Sequence, residues 1–199
     1  MTATPTDEQD RLDMARLQGG DDAGFNDLME RHSLRLVHYL VRLLHSEEDA
    51  ADLTQEAFLR VYRHRAEFDG KHRFSTWLYT IASNLARDRF RWRACHLTVS
   101  IEAEYSDPSV GLRNSLPDGG ADPSDSADQK DRAEIVRQAI AALPEELRLP
   151  LILQQYEGHS HAEIGVILNC SAKAVEMRVY RARYELRRQI AVLLPPELV

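Results

Sequence analysis

A chain of 199 residues with 43% hydrophobic content can bury the core of one ordinary domain or of two small ones. No apolar run approaches the ~18 residues that span a bilayer, and the polar, acidic start MTATPTDEQD carries no secretory pattern. Only Cys95 and Cys170 are present, which excludes a disulfide scaffold and fits a reducing cytoplasm. A net charge of −7 argues against tight, unaided DNA binding, because neutralising phosphates needs a basic surface.

The charge is unevenly spread. Residues 1–96 carry 14 Lys/Arg against 16 Asp/Glu, residues 97–131 carry 2 against 8, and residues 132–199 carry 9 against 8. The acidic excess therefore sits in the middle, where Pro, Gly, Ser and Asp crowd together without periodic apolar pattern. Such a stretch buries too little surface to offset chain entropy, so 97–131 is expected to be a flexible linker. This divides the chain into a tail (1–9), a first unit (10–96), the linker, a second unit (132–192) and a tail (193–199).

In chain order, residues 25–45 place Phe25, Leu28, Met29, His32, Leu36, Leu40 and Leu43 at helical spacing. Ser46 with three following acidic residues opens the next helix, which turns Leu53, Ala57, Phe58 and Val61 inward. Asp69-Gly70 breaks it, and Ser75 or Thr76 is expected to start a third long helix, FSTWLYTIASNLARDRFRWR. Phe74, Leu78, Ile81 and Leu85 form its core stripe, while Thr80, Asn84, Arg87 and Arg91 share another face. Its end alternates arginine with Phe90 and Trp92, a composition suited to opened DNA: guanidinium groups track phosphates and rings stack on bases. Packing on neighbouring helices would explain the two rings equally well. The pattern predicts a bundle of about four helices.

Beyond the linker, two helices are expected on either side of Pro144, with Gly158 closing the second. The capping box from Ser160 to Glu163 opens a short helix through Leu168. A turn at 169–171 then leads to a long basic helix, the pattern of a helix-turn-helix. Val175, Val179, Ala182, Leu186 and Ile190 form its buried stripe. The opposite face presents Lys173, Glu176, Met177, Tyr180, Arg181 and Arg187. The first turns of such a helix enter the major groove, so Glu176, Met177, Tyr180 and Arg181 are placed to meet base edges, with Arg178 and Arg183 reaching phosphates.

ADLTQEAFLRVYRHRAEF followed by FSTWLYTIASNLARDRFRWR resembles conserved region 2 of the extracytoplasmic-function (ECF, group IV) sigma factors of the sigma-70 family, and ALPEELRLPLILQQYEGHSHAEIGVILNCSAKAVEMRVYRARYELR resembles their region 4. The resemblance implies an all-α fold of two helical domains, a σ2 bundle and a σ4 helix-turn-helix, joined by an acidic linker. It implies a non-enzymatic, cytoplasmic subunit without cofactor or metal, with RNA polymerase core (β′ clamp helices and β flap), promoter DNA and an anti-sigma factor as partners. By position, Asp52, Gln55, Glu56, Leu59 and Arg60 match the surface that docks on the clamp helices. Residues 67–74, with Lys71, Arg73 and Phe74, match the loop that captures an unstacked base of the −10 element, with Trp77 at its edge. Asn84 matches a contact to the opened strand, which Thr80, Arg87 and Arg91 continue. Lys173, Glu176, Met177, Arg178, Tyr180, Arg181 and Arg183 fall in the −35 reading helix. Members often carry Gly-Thr-Val-Lys/Arg-Ser-Arg where this chain has KAVEMR at 173–178. Glu176 thus replaces a common basic residue, and a carboxylate accepts from cytosine N4 but repels phosphate.

Two other readings compete. A stand-alone helix-turn-helix regulator leaves the first motif block unexplained. A metal-dependent helical hydrolase is suggested only by eight histidines. His159 and His161, two apart, point to different sides of a helix, and no nucleophile-base set accompanies them.

Overall fold

The computed structural model describes residues 5–97 and 125–193; the 98–124 part of the expected linker and both chain ends lie outside it. Among the described residues all regular structure is helical. The first unit comprises α1 (Pro5–Gln18), α2 (Ala23–Leu44), α3 (Glu47–Arg63), a 3-10 turn (Arg65–Glu67) and α4 (Phe74–Leu97). The second comprises α5 (Asp125–Ala141), α6 (Glu145–Gln155), α7 (His161–Leu168) and α8 (Ala172–Leu193).

Three boundaries differ from expectation. Helix α1 begins at Pro5, inside the stretch expected to be tail, because Pro suits a first helical position and Asp7 and Glu8 put negative charge in the first turn. Helix α5 begins at Asp125, inside the expected linker. Helix α4 starts at Phe74 rather than at a Ser75 or Thr76 cap, its first intrahelical bond running from the Trp77 N–H to the Arg73 carbonyl at 3.2 Å. The Ser46 cap is as expected: its hydroxyl accepts from the Asp49 N–H at 3.2 Å, a contact worth about 1 kcal/mol.

The core of the first unit is the packed stripe of α2 (Leu28, Leu36, Tyr39, Leu40, Leu43) against Ala57, Phe58 and Val61 of α3 and Phe74, Leu78 and Leu85 of α4. Met29, expected on that stripe, is turned outward at 37% exposure. Helix α1 closes the bundle with fully buried Met14 and Leu17 and with charge. Asp10 and Asp13 are buried, and Arg31 and His32 of α2 hold them, with Arg31 2.8 Å from Asp13 and His32 2.9 Å from Asp10. Buried carboxylates without such partners would be costly. The helices approach closely at Gly24, where a Cβ would stand 2.4 Å from the Asp13 carbonyl oxygen.

In the second unit the capping box is complete: the Ser160 hydroxyl accepts from the Glu163 N–H while the Glu163 carboxylate accepts from the Ser160 N–H. Asn169 ends α7 in the left-handed region at φ 52°, a conformation Asn tolerates better than most residues. The turn is tight because a Cβ on Gly165 would stand 2.7 Å from the Cys170 carbonyl oxygen. This close passage presses α7 onto α8 and fixes the helix-turn-helix corner. Val175, Val179 and Ala182 are buried as the α8 stripe predicts.

The two units touch. Helix α7 packs on α4 and α6 on α2, and the buried apolar residues of both units form one continuous cluster.

Candidate nucleic-acid interface

Helix α3 presents Asp52, Gln55, Glu56, Leu59 and Arg60 along one side, spaced i, i+3, i+4, i+7 and i+8. Asp52 and Gln55 are exposed, Leu59 is 40% exposed, and the Arg60 Nε donates to Glu56 at 2.8 Å. An exposed leucine framed by carboxylates and an amide is a surface a partner can cover.

Across the bundle from α3 to α4 runs an open groove of about 240 Å³ lined by Arg60, His64, Glu67, Trp77, Ile81 and Asn84. Asn84 is exposed at its edge. Trp77 is the aromatic of the groove lining, and it is packed from behind by Phe68 at 5.3 Å and Phe74 at 6.3 Å. The sequence reading passed over His64, which pairs at 2.7 Å with Glu67 of the expected 67–74 loop. Ile81, expected on the core stripe, packs against the core while half-buried and also lines the groove. No motif marks a site that only the α3–α4 crossing assembles.

The other expected −10 residues divide. Phe74 is 2% exposed and packs 5.1 Å from His32, so its ring supports the groove and is not presented to DNA. Thr80 is half-buried, its hydroxyl donating to the Thr76 carbonyl at 2.8 Å. Lys71 is exposed and pairs with Asp69 at 2.7 Å. Arg91 is exposed beside Asp88. Arg87 faces the second unit, 3.7 Å from Glu145, while Arg73 is shared between Asp7 of α1 at 3.3 Å and Glu163 at 3.4 Å.

The ring-and-arginine end of α4 resolves into two roles. Arg89 and Arg93 both reach Asp49 in the first turn of α3, and Arg93 also donates to the Leu44 carbonyl at 3.1 Å, so these cations tie helices together. Phe90 packs on the core beneath Arg148, 5.6 Å away. Trp92 remains 54% exposed and stacks on His96 at 4.1 Å. One ring of the two is available for stacking.

On α8 the expected reading face is open. Met177 is 43% and Tyr180 67% exposed, and Arg181 stands beside them. Lys173 pairs with Glu176 at 2.9 Å, so the unusual carboxylate already has a cation at its side. Arg178 is half-buried, 3.6 Å from the Cys170 thiol, and Arg183 donates to Gln154 and Gln155 of α6. Tyr184, which the sequence reading passed over, extends the stripe of Met177 and Tyr180 at 59% exposure. Its i+7 spacing from Met177 is the signal that could have found it.

These faces define a class: a two-part helical protein with a helix-turn-helix in one unit and an open groove beside Trp77 and Asn84 in the other. Residues 28–94 match Sigma-70 region 2, and residues 133–186 match Sigma-70, region 4. The chain is 31% identical over 194 residues to the RNA polymerase sigma-H factor of Pseudomonas aeruginosa, covering 95% of this chain and 97% of that one. It is 30% identical over 175 residues to the ECF RNA polymerase sigma factor SigW of Bacillus subtilis (88% and 93% covered), and 31% over 189 residues to the ECF RNA polymerase sigma-E factor of Escherichia coli (93% and 96%). The chain belongs to the ECF group of the sigma-70 family.

Solved structures share the fold. CnrH in complex with the cytosolic domain of CnrY aligns with a TM-score of 0.68 at 24% identity, covering 92% of this chain and 98% of that one. RpoE in complex with the anti-sigma factor NepR from Bartonella quintana aligns with a TM-score of 0.67 at 22% identity (84% and 97%). Among the described residues no helix is long and apolar enough to cross a membrane.

Proposed function

We propose that this sigma factor works as a three-point clamp between polymerase core and promoter. The α3 face (Asp52, Gln55, Glu56, Leu59, Arg60) docks on the β′ clamp helices. The groove at Asn84 takes a base released from the −10 element, and the α8 stripe reads the −35 element. The observation that carries this is the open groove lined by Trp77 and His64 beside an exposed Asn84. An amide supplies both a donor and acceptors to a base edge, and Trp77 offers a stacking surface. Unstacking a base costs a few kcal/mol, and capture of the extruded base offsets that cost and holds the strand open.

On α8, Met177, Tyr180 and Tyr184 give apolar and hydroxyl contacts, with Arg181 able to read guanine or a phosphate. Glu176, with Lys173 beside it, favours a cytosine N4 amine over a phosphate. The chain's acidity leaves most phosphate neutralisation to the polymerase, so the free subunit binds DNA weakly. An anti-sigma factor fits as a further partner, since the solved relatives of this fold include a sigma factor bound to one.

The test is run-off transcription with purified core polymerase on a genomic fragment library. New initiation sites sharing −35 and −10 sequences support the reading. A gel shift in which the isolated chain binds one sequence tightly would favour a stand-alone regulator.

A further inference from the structure

Two side chains of the Asn84 groove have a chemistry that a stacking ring and an amide leave unused. His64 caps the end of α3 and Glu67 closes the 3-10 turn after it. Both line the groove, and the His64 Nδ1 lies 2.7 Å from the Glu67 carboxylate. The turn that carries Glu67 is fastened from outside. Gln18, the last residue of α1, donates its side-chain amide to the Arg65 carbonyl at 2.8 Å and to the Phe68 carbonyl at 2.9 Å, gripping the turn at both ends. Phe68 in turn backs Trp77. One amide thus steadies the carboxylate and the stacking ring together.

An ionised carboxylate only accepts hydrogen bonds, so a neutral His64 ring carries its proton on Nδ1 and keeps a lone pair on Nε2. The pair therefore offers the groove two acceptors, Nε2 and the carboxylate. Trp77 can stack on any base, since every base has a π-face, so identity has to be read at the base edge. A base swung out of the strand enters with the edge opposite its sugar leading. There adenine carries the N6 amine and cytosine the N4 amine, which donate to such acceptors, whereas guanine O6 and thymine O4 set lone pairs against them. We propose that His64, oriented by Glu67, selects an amine-bearing base, adenine or cytosine, at the −10 position the groove captures. The proposal rests on the reading of this groove as the site of base capture and adds the class of base it admits.

The charged groups of the groove are few. Arg60, one turn earlier on α3, has its Nε committed to Glu56, and Glu67 faces the ring from the 3-10 turn. Helix α4 contributes Trp77, Ile81 and Asn84, none of which titrates. Imidazoles take up a second proton between about pH 5 and 8, and a proton on Nε2 turns that acceptor into a donor. The preference for an amine is therefore expected to fade as His64 charges.

The test uses the full chain assembled with core polymerase and labelled single-stranded oligonucleotides bearing the −10 sequence that run-off transcription returns. Each position carries A, C, G or T in turn, and fluorescence anisotropy reads affinity. At one position A or C should bind about fivefold tighter than G or T, the weight of one hydrogen bond. His64 is exposed, so His64→Phe spares the core. It keeps a ring and removes both nitrogens, and should bring the ratio at that position near one while ratios elsewhere stand. Lowering the pH from about 8 to about 6 should shrink the ratio in the unsubstituted chain and not in His64→Phe. Glu67→Leu, which lets the proton move between the two nitrogens, should narrow the ratio, and an unchanged ratio there removes Glu67 from control of the ring. A preference that survives His64→Phe, or its absence at every position in the unsubstituted chain, overturns the proposal. Asn84→Ala keeps the two ideas apart: weaker binding of every oligonucleotide retains the groove as the capture site whatever His64 does, and unchanged binding rejects the groove itself.

Discussion

The two faces proposed to meet nucleic acid are built in opposite ways. The α8 stripe of Met177, Tyr180, Arg181 and Tyr184 belongs to one helix, and its geometry follows from 3.6-residue periodicity once the buried stripe is known. The groove at Asn84 draws Arg60 and His64 from one helix and its cap, Glu67 from a 3-10 turn, and Trp77, Ile81 and Asn84 from another. A surface written in one element survives small shifts of its neighbours, whereas a groove between elements depends on their crossing. The single-helix face should therefore tolerate substitution locally, and the assembled groove should respond to distant changes in packing.

The largest expected effect lies outside both faces. Reversing Asp52 and Glu56 to Lys should abolish co-purification with core polymerase while circular dichroism stays helical, and retained co-purification would place the docking surface elsewhere. This change leaves groove and stripe intact and so isolates recruitment from recognition.

Acid should come next. Burial holds the His159 imidazole down to about 4, with Arg35 and Arg73 acting in the same direction and Glu163 opposing them; Tyr79 covers the ring. A folded-state value below the unfolded one gives stability that is complete above about 6.5 and drains away as pH falls towards 4. Thermal melts at pH 5 against pH 7 should show a loss on the order of 2 kcal/mol that His159→Phe does not share. Equal losses in both proteins would remove His159 as the cause. Glu163 acts in the same sense at lower pH. Burial alone would raise its carboxyl, but the Ser160 hydroxyl and N–H, with Arg73 and His159, hold it below the usual range.

Gly165→Ala sharpens the comparison on the α8 side. Its Cβ would stand 2.7 Å from the Cys170 carbonyl, and overpacking of this kind costs about 1–3 kcal/mol. Lower melting together with lost −35 selectivity would show that the stripe, though carried on one helix, is aimed by the turn before it. Asn84→Ala should be milder, slowing open-complex formation roughly fivefold for one lost hydrogen bond while sparing polymerase binding. Equal loss of both would contradict its role. Smallest in energy, Glu176→Arg should change which −35 sequences a randomised library returns, and an unchanged preference would remove Glu176 from the readout.

Much of this was legible in the sequence because it is local. The Ser46 cap, the capping box from Ser160 to Glu163, the corner at Asn169 and the buried face of α8 each need only a few adjacent residues. Phe74, expected both on the core stripe and in the −10 loop, takes the core place because it lies on α4 near its crossing with α3, where a few degrees of rotation decide between core and groove. The arginine-rich end of α4 misled differently. Arg89 and Arg93 carry the composition of a strand-binding helix, yet Asp49, some forty residues earlier, claims both. Composition cannot reveal a partner that only the fold brings near. The same holds for Glu157 and Tyr79, which are 78 positions apart.

The central claim is that the two units, which touch in the free chain, dock at separate places on a polymerase, which then brings the promoter strand to Asn84. The most direct measurement places one fluorophore on each unit and follows energy transfer as core polymerase, then promoter DNA, is added. Transfer should be high in the free chain, fall when polymerase binds, and stay low as the open complex forms. High transfer persisting in a complex that initiates transcription would contradict the account.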